Sequence, residues 1–121
     1  MLEIKNLSVK YAGAEAESLY QFSLSVKKGE CILLTGSSGC GKTTVTRCLN
    51  GLLPNFYSCE MQGEIFLNGK EISNLSMKEI ASLTGSVFQD PRSQFFTLDV
   101  DSEIAFPCEN LGLAQAEIQE R

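Results

Sequence analysis

Apolar and polar residues alternate along the first quarter of the chain in a way that lays out its elements. Leu2 and Ile4, then Leu7, Val9 and Tyr11, alternate with polar neighbours, but the phase changes at Lys5-Asn6. Successive strand side chains point to opposite faces, so this break predicts a strand carrying a bulge. Tyr20, Phe22, Leu24 and Val26 alternate without interruption and predict a second half-buried strand, after the small and acidic loop AGAEAES. Lys27-Lys28-Gly29-Glu30 predicts a turn. CILLTG, residues 31–36, is a continuous apolar run, which fits a strand covered on both faces, as in a parallel sheet.

The period then lengthens. Val45, Cys48, Leu49 and Leu52 fall at i, i+3, i+4 and i+7, one face of a helix that Gly51 and Pro54 should end. GEIFLNGKEI predicts a hairpin turning at Asn68-Gly69, and Ser76 to Glu79 has capping-box spacing at the start of a short helix. GSVFQ predicts another strand, stopped by Asp90-Pro91. From Val100 the pattern is helical, with Pro107 expected to kink or break it. AQAEIQER opens one more helix and the sequence stops inside it, so the chain is expected to be part of a longer domain.

Composition narrows the class. One domain with a modest core is what 121 residues allow, and 43% hydrophobic with 21% charged residues is a globular balance. The first ten residues, MLEIKNLSVK, place charges where a signal peptide needs an apolar segment, so a cytoplasmic location is expected. Five cysteines without a CxxC pair, and no histidine, argue against zinc and against a disulfide framework; most should be small buried hydrophobes. Beyond position 89 there are seven acidic residues against Arg92 and Arg121. That acidic end argues against a nucleic-acid partner, which requires a basic face.

The chemistry is concentrated in TGSSGCGKTT. Gly36-Ser37-Ser38-Gly39-Cys40-Gly41-Lys42-Thr43 matches GxxxxGK[ST] in full, after an apolar run and ahead of an amphipathic helix. Phosphates need several backbone N–H groups converging on them, and Gly36, Gly39 and Gly41 permit that approach. A helix N-terminus near Gly41 adds its dipole. Lys42 supplies charge for the β- and γ-phosphates, the Thr43 hydroxyl can ligate Mg²⁺, and Thr44 can reach the α-phosphate. Chance would give roughly one such match per few hundred chains of this length. Cys40 lies inside the loop and reads first as a small residue that fits it; the alternative is a reactive thiol, at which a thiol reagent should block nucleotide binding and Mg-ATP should protect.

The flanks of the loop choose among P-loop families. NLSVKY, followed by FSLSVKKGECILLTGSSGCGKTT, resembles the start of an ATP-binding cassette (ABC) ATPase. On that resemblance Tyr11, 25 residues before Gly36, takes the place of the aromatic residue that stacks on adenine. Without it, Tyr11 reads as an ordinary strand-end residue. GSVFQDPRSQFF resembles the segment in which a glutamine closes a strand and opens the Q-loop, which implies metal or water binding by Gln89. A lone Gln would otherwise read as a surface residue. Asp90 could pose as a metal-binding Asp, but Pro91 and the Q-loop match account for it better. FQDPRSQFF with SEIAFPCENLGL resembles, more narrowly, the ATPase subunits of energy-coupling factor (ECF) importers, in which Gln94 matches a second glutamine. Pro107 stands where relatives often carry glycine.

The resemblance implies an α/β P-loop NTPase core of ABC ATPase type. It would have a parallel sheet, an N-terminal antiparallel β subdomain and the start of a helical subdomain, and be truncated. Residues 1–28 and 63–73 would form the antiparallel portion, 29–54 the P-loop strand and helix, 85–96 the Q-loop and 97–121 the helical start. It also implies ATP and Mg²⁺ as ligands and a second ABC ATPase domain plus a transmembrane coupling subunit as partners. The location would be peripheral, on the inner face of the cell membrane, with the work being uptake of a vitamin or metal ion. Lys42 and Gln89 would serve hydrolysis. An LSGGQ-type signature, an apolar strand ending in Asp-Glu and a switch histidine are not among these residues. By itself the chain is therefore expected to bind ATP poorly, turn it over negligibly and expose apolar surface. Two rivals stand beside this reading. A small P-loop kinase would need lid arginines, where only Arg47, Arg92 and Arg121 exist. The other is a non-hydrolytic nucleotide-binding module or truncated-gene remnant.

Overall fold

The computed structural model describes residues 1–120; Arg121, counted above with the arginines and the acidic C-terminal stretch, lies outside the described residues. Met1–Thr84 forms one compact unit and the residues from Gly85 onward form a second.

The first unit is built on a four-stranded antiparallel sheet with strand order β2-β1-β3-β4. These strands are β1 (Leu2–Tyr11), β2 (Leu19–Val26), β3 (Cys59–Leu67) and β4 (Lys70–Glu71). The phase change in β1 is a bulge: Asn6 takes φ 48°, and the pairing shifts between Ile4 and Leu7 on one side and between Lys5 and Ser8 on the other. The bulge puts Ile4, Leu7 and Val9 all into the core. Opposite it, β3 carries Gly63, where a Cβ would stand 2.5 Å from the carbonyl oxygens of Lys5 and Asn6, so no side chain fits beneath the bulge.

β2 departs from the expected unbroken alternation. Gln21 takes φ 45°, and the register to β1 slips between Leu7 and Val9. Consequently Leu19 is buried and Tyr20 faces outward. Side chains tie the two irregularities together, because Ser8 Oγ accepts from Gln21 N–H and Ser23 Oγ accepts from Asn6 N–H, each at 2.9 Å. Local backbone-to-side-chain bonding outweighs the simple period. The hairpin at Asn68-Gly69 forms as expected, with both central residues at positive φ, the hallmark of a type I′ turn.

Three helical segments complete this unit: α1 (Lys42–Leu49), the short α2 (Leu52–Asn55) and α3 (Met77–Leu83). Val45 and Cys48 of α1, Leu53, Ile72 and Ile80 pack on Ile4, Leu7, Val9, Leu19, Ile65 and Leu67 to make the core. In α2 the inner residue Leu53 leaves helical geometry, and it, not Leu52, is buried. α3 opens on the capping box expected at Ser76 and Glu79, with Ser76 N–H donating to the Glu79 carboxylate at 2.8 Å and Glu79 N–H to Ser76 Oγ at 3.3 Å.

Two apolar runs expected to be strands are not. Cys31–Leu34 and 85–88 carry no ladder, and no parallel pair exists among the described residues. A strand covered on both faces needs hydrogen-bonding neighbours on both edges, and β1 to β4 pair with one another instead. Leu33, Val87 and Phe88 accordingly stand exposed, the apolar surface anticipated above. Cys31 is exposed for the same reason, so the cysteines are not uniformly interior.

In the second unit, α4 (Val100–Leu111) and α5 (Gln115–Glu120) follow a turn at Pro91–Gln94. Pro107 does not break α4, which runs through it to Gly112. The helix closes there by a Schellman arrangement, with Leu113 N–H donating to Cys108 O at 3.1 Å. Asp99 caps the other end, accepting from Ser102 N–H at 2.8 Å. Among the described residues no helix is long and apolar enough to cross a membrane.

Candidate functional site

The glycine loop stands on the surface as far as Cys40, since every residue from Cys31 to Cys40 is exposed. Gly36, Gly39 and Gly41 take φ of 150°, 81° and 95°. Gly41 is the hinge between loop and helix. It is buried, it occupies the N-cap position of α1, and a Cβ there would meet Ser18 O at 2.5 Å and Leu19 Cδ2 at 2.7 Å. The start of β2 thus fixes where α1 begins.

That N-terminus suits an anion. Gly41 offers no side-chain cap, and the first turn of α1 contains no acidic residue. The first-turn N–H groups of any helix lack intrahelical acceptors and carry the positive end of its dipole. Lys42 folds back over the loop, its Nζ donating to Gly36 O at 2.8 Å and Ser37 O at 2.6 Å, with Cys40 Sγ at 3.4 Å. An ammonium has three donors and moves readily between acceptors, so phosphate oxygens could replace these carbonyls. The exposed hydroxyls of Ser37, Ser38 and Thr43 border the same loop. Cys40 is open to solvent, whereas burial pushes the Cys48 thiol, on the core side of α1, up to about 12.

Tyr11 ends β1, and its neighbours lock the backbone there: it pairs with Cys59, and Ala12 N–H donates to Ser58 O at 3.0 Å. Its hydroxyl lies 3.4 Å from Thr44 Oγ1 and accepts from Arg47 Nη1 at 3.2 Å. Thr44 is buried and Tyr11 half-buried, so the predicted base platform and the phosphate helix touch directly. Arg47 also rests over the Tyr57 ring, 4.5 Å from its centroid. The hydrogen bond to Tyr11 raises the guanidinium pKa above its ordinary value. In the sequence Arg47 stands out only as one of few arginines. Its i+3 spacing from Thr44, on the same helical face, is the signal that could have found it. A cavity of about 370 Å³ opens beside Tyr11, lined by Lys10 to Ala14 and Ser58 to Glu60, and no glycine-loop residue reaches it.

In the second unit Gln89 is exposed just ahead of the turn that Asp90 caps, its carboxylate accepting from Arg92 N–H at 3.1 Å. Capping is thus the visible work of Asp90. Gln94 bridges back along the chain, accepting from Phe88 N–H at 3.3 Å and donating to Ser86 O at 3.4 Å. Glu103 gathers the Phe96 and Thr97 N–H groups, each at 3.0 Å, and the Thr97 hydroxyl at 2.9 Å. Phe95, Phe96, Leu98, Val100 and Ile104 remain exposed, and a groove of about 340 Å³ runs among Phe95, Leu98, Val100 and Ile104.

Comparison with known proteins identifies the family. The ABC transporter family model matches residues 19–120. Two proteins of Treponema denticola, each named "Putative ABC transporter ATP-binding protein", are 50% and 44% identical over the whole chain. A similarly named protein of Pyrococcus abyssi is 40% identical over the same 121 residues. The chain spans 25% of the length of each Treponema relative and 43% of the Pyrococcus one. The family binds ATP with Mg²⁺. On the match over residues 19–120, this chain belongs to the ABC transporter ATP-binding family.

Proposed function

We propose that these residues form the nucleotide-binding part of an ATPase of the energy-coupling factor type, which hydrolyses Mg-ATP to drive uptake of a vitamin or a transition-metal ion. One observation carries the reading of the site: a surface loop wrapped around Lys42 and running into an uncapped, acid-free helix N-terminus. Gly36 to Gly41 would present backbone N–H groups to the phosphates, Lys42 would neutralise the β- and γ-phosphates, and Thr44 would border the α-phosphate. The Thr43 hydroxyl would ligate Mg²⁺, which neutralises charge on the phosphate oxygens when bound; for Gln89 the family resemblance implies a metal-binding role as well. Tyr11 would carry the adenine on its ring face. Gln89 would also orient the attacking water.

The segment after Gln89 supports a protein partner. Its aromatic and aliphatic side chains are exposed, and Phe95, Leu98, Val100 and Ile104 line one groove, an apolar surface of the kind that marks interaction sites. Given the family, we assign that surface to a transmembrane coupling subunit. A second ABC ATPase domain would complete the nucleotide site, and the protein would lie at the inner face of the membrane. The ECF assignment itself rests on the resemblance of FQDPRSQFF and SEIAFPCENLGL.

Vesicles holding the intact protein with its membrane partners provide the test. Uptake of a labelled vitamin or metal ion should require Mg-ATP, and both Lys42→Ala and Gln89→Ala should abolish it. ATP-dependent phosphorylation of a small acceptor, or nucleotide binding without turnover in the intact protein, would overturn the reading.

A further inference from the structure

We propose that Arg47 is a positioning residue that fixes Tyr11 as the base platform and joins it rigidly to the phosphate-binding helix; this rests on the nucleotide reading of Tyr11 given above. Tyr11 is the last residue of β1, a place where a side chain has few neighbours on one side. Its ring is nevertheless tied at the hydroxyl from two directions. Arg47 has only donors, so the contact at 3.2 Å makes the phenolic oxygen an acceptor. The phenolic proton is thereby free to be given to Thr44 Oγ1, 3.4 Å away. Arg47 is itself held in place, because its guanidinium rests over the Tyr57 ring, 4.5 Å from the ring centroid.

The order Tyr57, Arg47, Tyr11, Thr44 is therefore a continuous chain of contacts. It begins beside β3 and ends in the first turn of α1, two residues from Lys42. A base stacked on Tyr11 and a triphosphate held at the loop belong to one ligand, so the separation of the two sites must be held constant. Anchoring the ring through its hydroxyl leaves a ring face away from the core for stacking and sets its orientation relative to α1. Arg47 does not need to touch the nucleotide for this.

Binding of Mg-ATP and of magnesium tripolyphosphate, which lacks a base, separates this role from general damage to the loop. In the intact protein, Tyr11→Ala should weaken ATP by roughly tenfold to a hundredfold, the range for loss of one stacked base, with tripolyphosphate unchanged. Arg47→Met should weaken ATP by about threefold to tenfold, again sparing tripolyphosphate. Tyr11→Phe keeps the ring and removes the same bond from its other end, so it should match Arg47→Met, and combining the two should cost no more than either alone. If Arg47→Met does not fold, Tyr11→Phe still tests the bond. Normal ATP affinity in Arg47→Met and Tyr11→Phe, with Tyr11→Ala impaired, would overturn the inference and leave the base platform standing. Equal weakening of ATP and tripolyphosphate by Arg47→Met would overturn it in favour of a structural role. Normal ATP affinity in Tyr11→Ala would remove the platform and the inference with it.

Discussion

The sheet and the glycine loop belong to the same compact unit but are stabilised in opposite ways. β1 supplies both edges of its ladder to strands close in sequence or reached by one excursion, and its bulge directs Ile4, Leu7 and Val9 into a closed core. The apolar run at Cys31–Leu34 leads into the loop with no ladder and remains on the surface. Hydrophobicity alone therefore does not make a strand; backbone partners do. The loop is anchored where it touches the sheet, through Gly41 against Ser18 and Leu19, and by Lys42 bridging its own carbonyls. Stability and ligand binding should accordingly separate: substitutions in the sheet should lower the first, and substitutions in the loop the second.

Leu7 should give the largest effect. It is wholly buried, and Leu7→Ala should cost about 2–5 kcal/mol in a urea titration, while any nucleotide affinity measured on the folded fraction stays the same. Gly41→Ala is the position where the comparison should fail. A Cβ there meets backbone at 2.5 Å and φ is 95°, so stability should fall by about 1–3 kcal/mol and Mg-ATP binding should weaken together with it.

Thiol labelling probes the two sides of the loop and helix. Iodoacetamide at pH 8 should modify exposed Cys40 and spare Cys48, which is buried and held at about 12. Mg-ATP should slow labelling of Cys40 selectively; equal rates with and without nucleotide would count against the loop as its site.

The smallest effect concerns pH. Hydrogen bonds from Ser76 and Thr97 hold the Glu79 and Glu103 carboxyls below their ordinary range. Each folded-state value lies below the unfolded one, so the stabilisation is complete above the unfolded value of about 4.3 and is lost as pH falls through the depressed one. Helical circular dichroism should therefore decline as the pH falls below about 4.3, and less steeply in Glu79→Gln and Glu103→Gln, whose amides do not titrate there. Unchanged slopes would show that these bonds do not govern α3 and α4.

Much of the local structure was legible from residue order. The phase change at Lys5-Asn6, the Asn68-Gly69 turn and the Ser76–Glu79 box are each short-range, and each forms as expected. The glycine loop and the start of α1 also lie where the spacing of Gly36, Gly39, Gly41 and Lys42 places them. What escaped depends on partners that local sequence does not name. CILLTG and GSVFQ read as strands, but nothing in so short a run says whether neighbours will be found. Gln21 reverses the phase of β2 through a bond to Ser8, thirteen residues away. Pro107 was expected to kink or break α4, and the helix runs without a break from Val100 to Leu111, between caps at Asp99 and Gly112. The Tyr11–Arg47 contact joins residues 36 apart and follows only from packing α1 against the end of β1.

The most direct test is an equilibrium titration of the intact protein with Mg-ATP, wild type against Lys42→Ala, with the urea midpoint measured on both. Lys42 is half-buried and its side chain bonds to Gly36 and Ser37 of its own loop, so the stability read from the midpoint should change by less than about 1 kcal/mol. Affinity should fall by roughly tenfold to a hundredfold, the loss of one charge-assisted contact to phosphate. Unchanged affinity for Mg-ATP in Lys42→Ala would contradict the assignment of this loop as the nucleotide site.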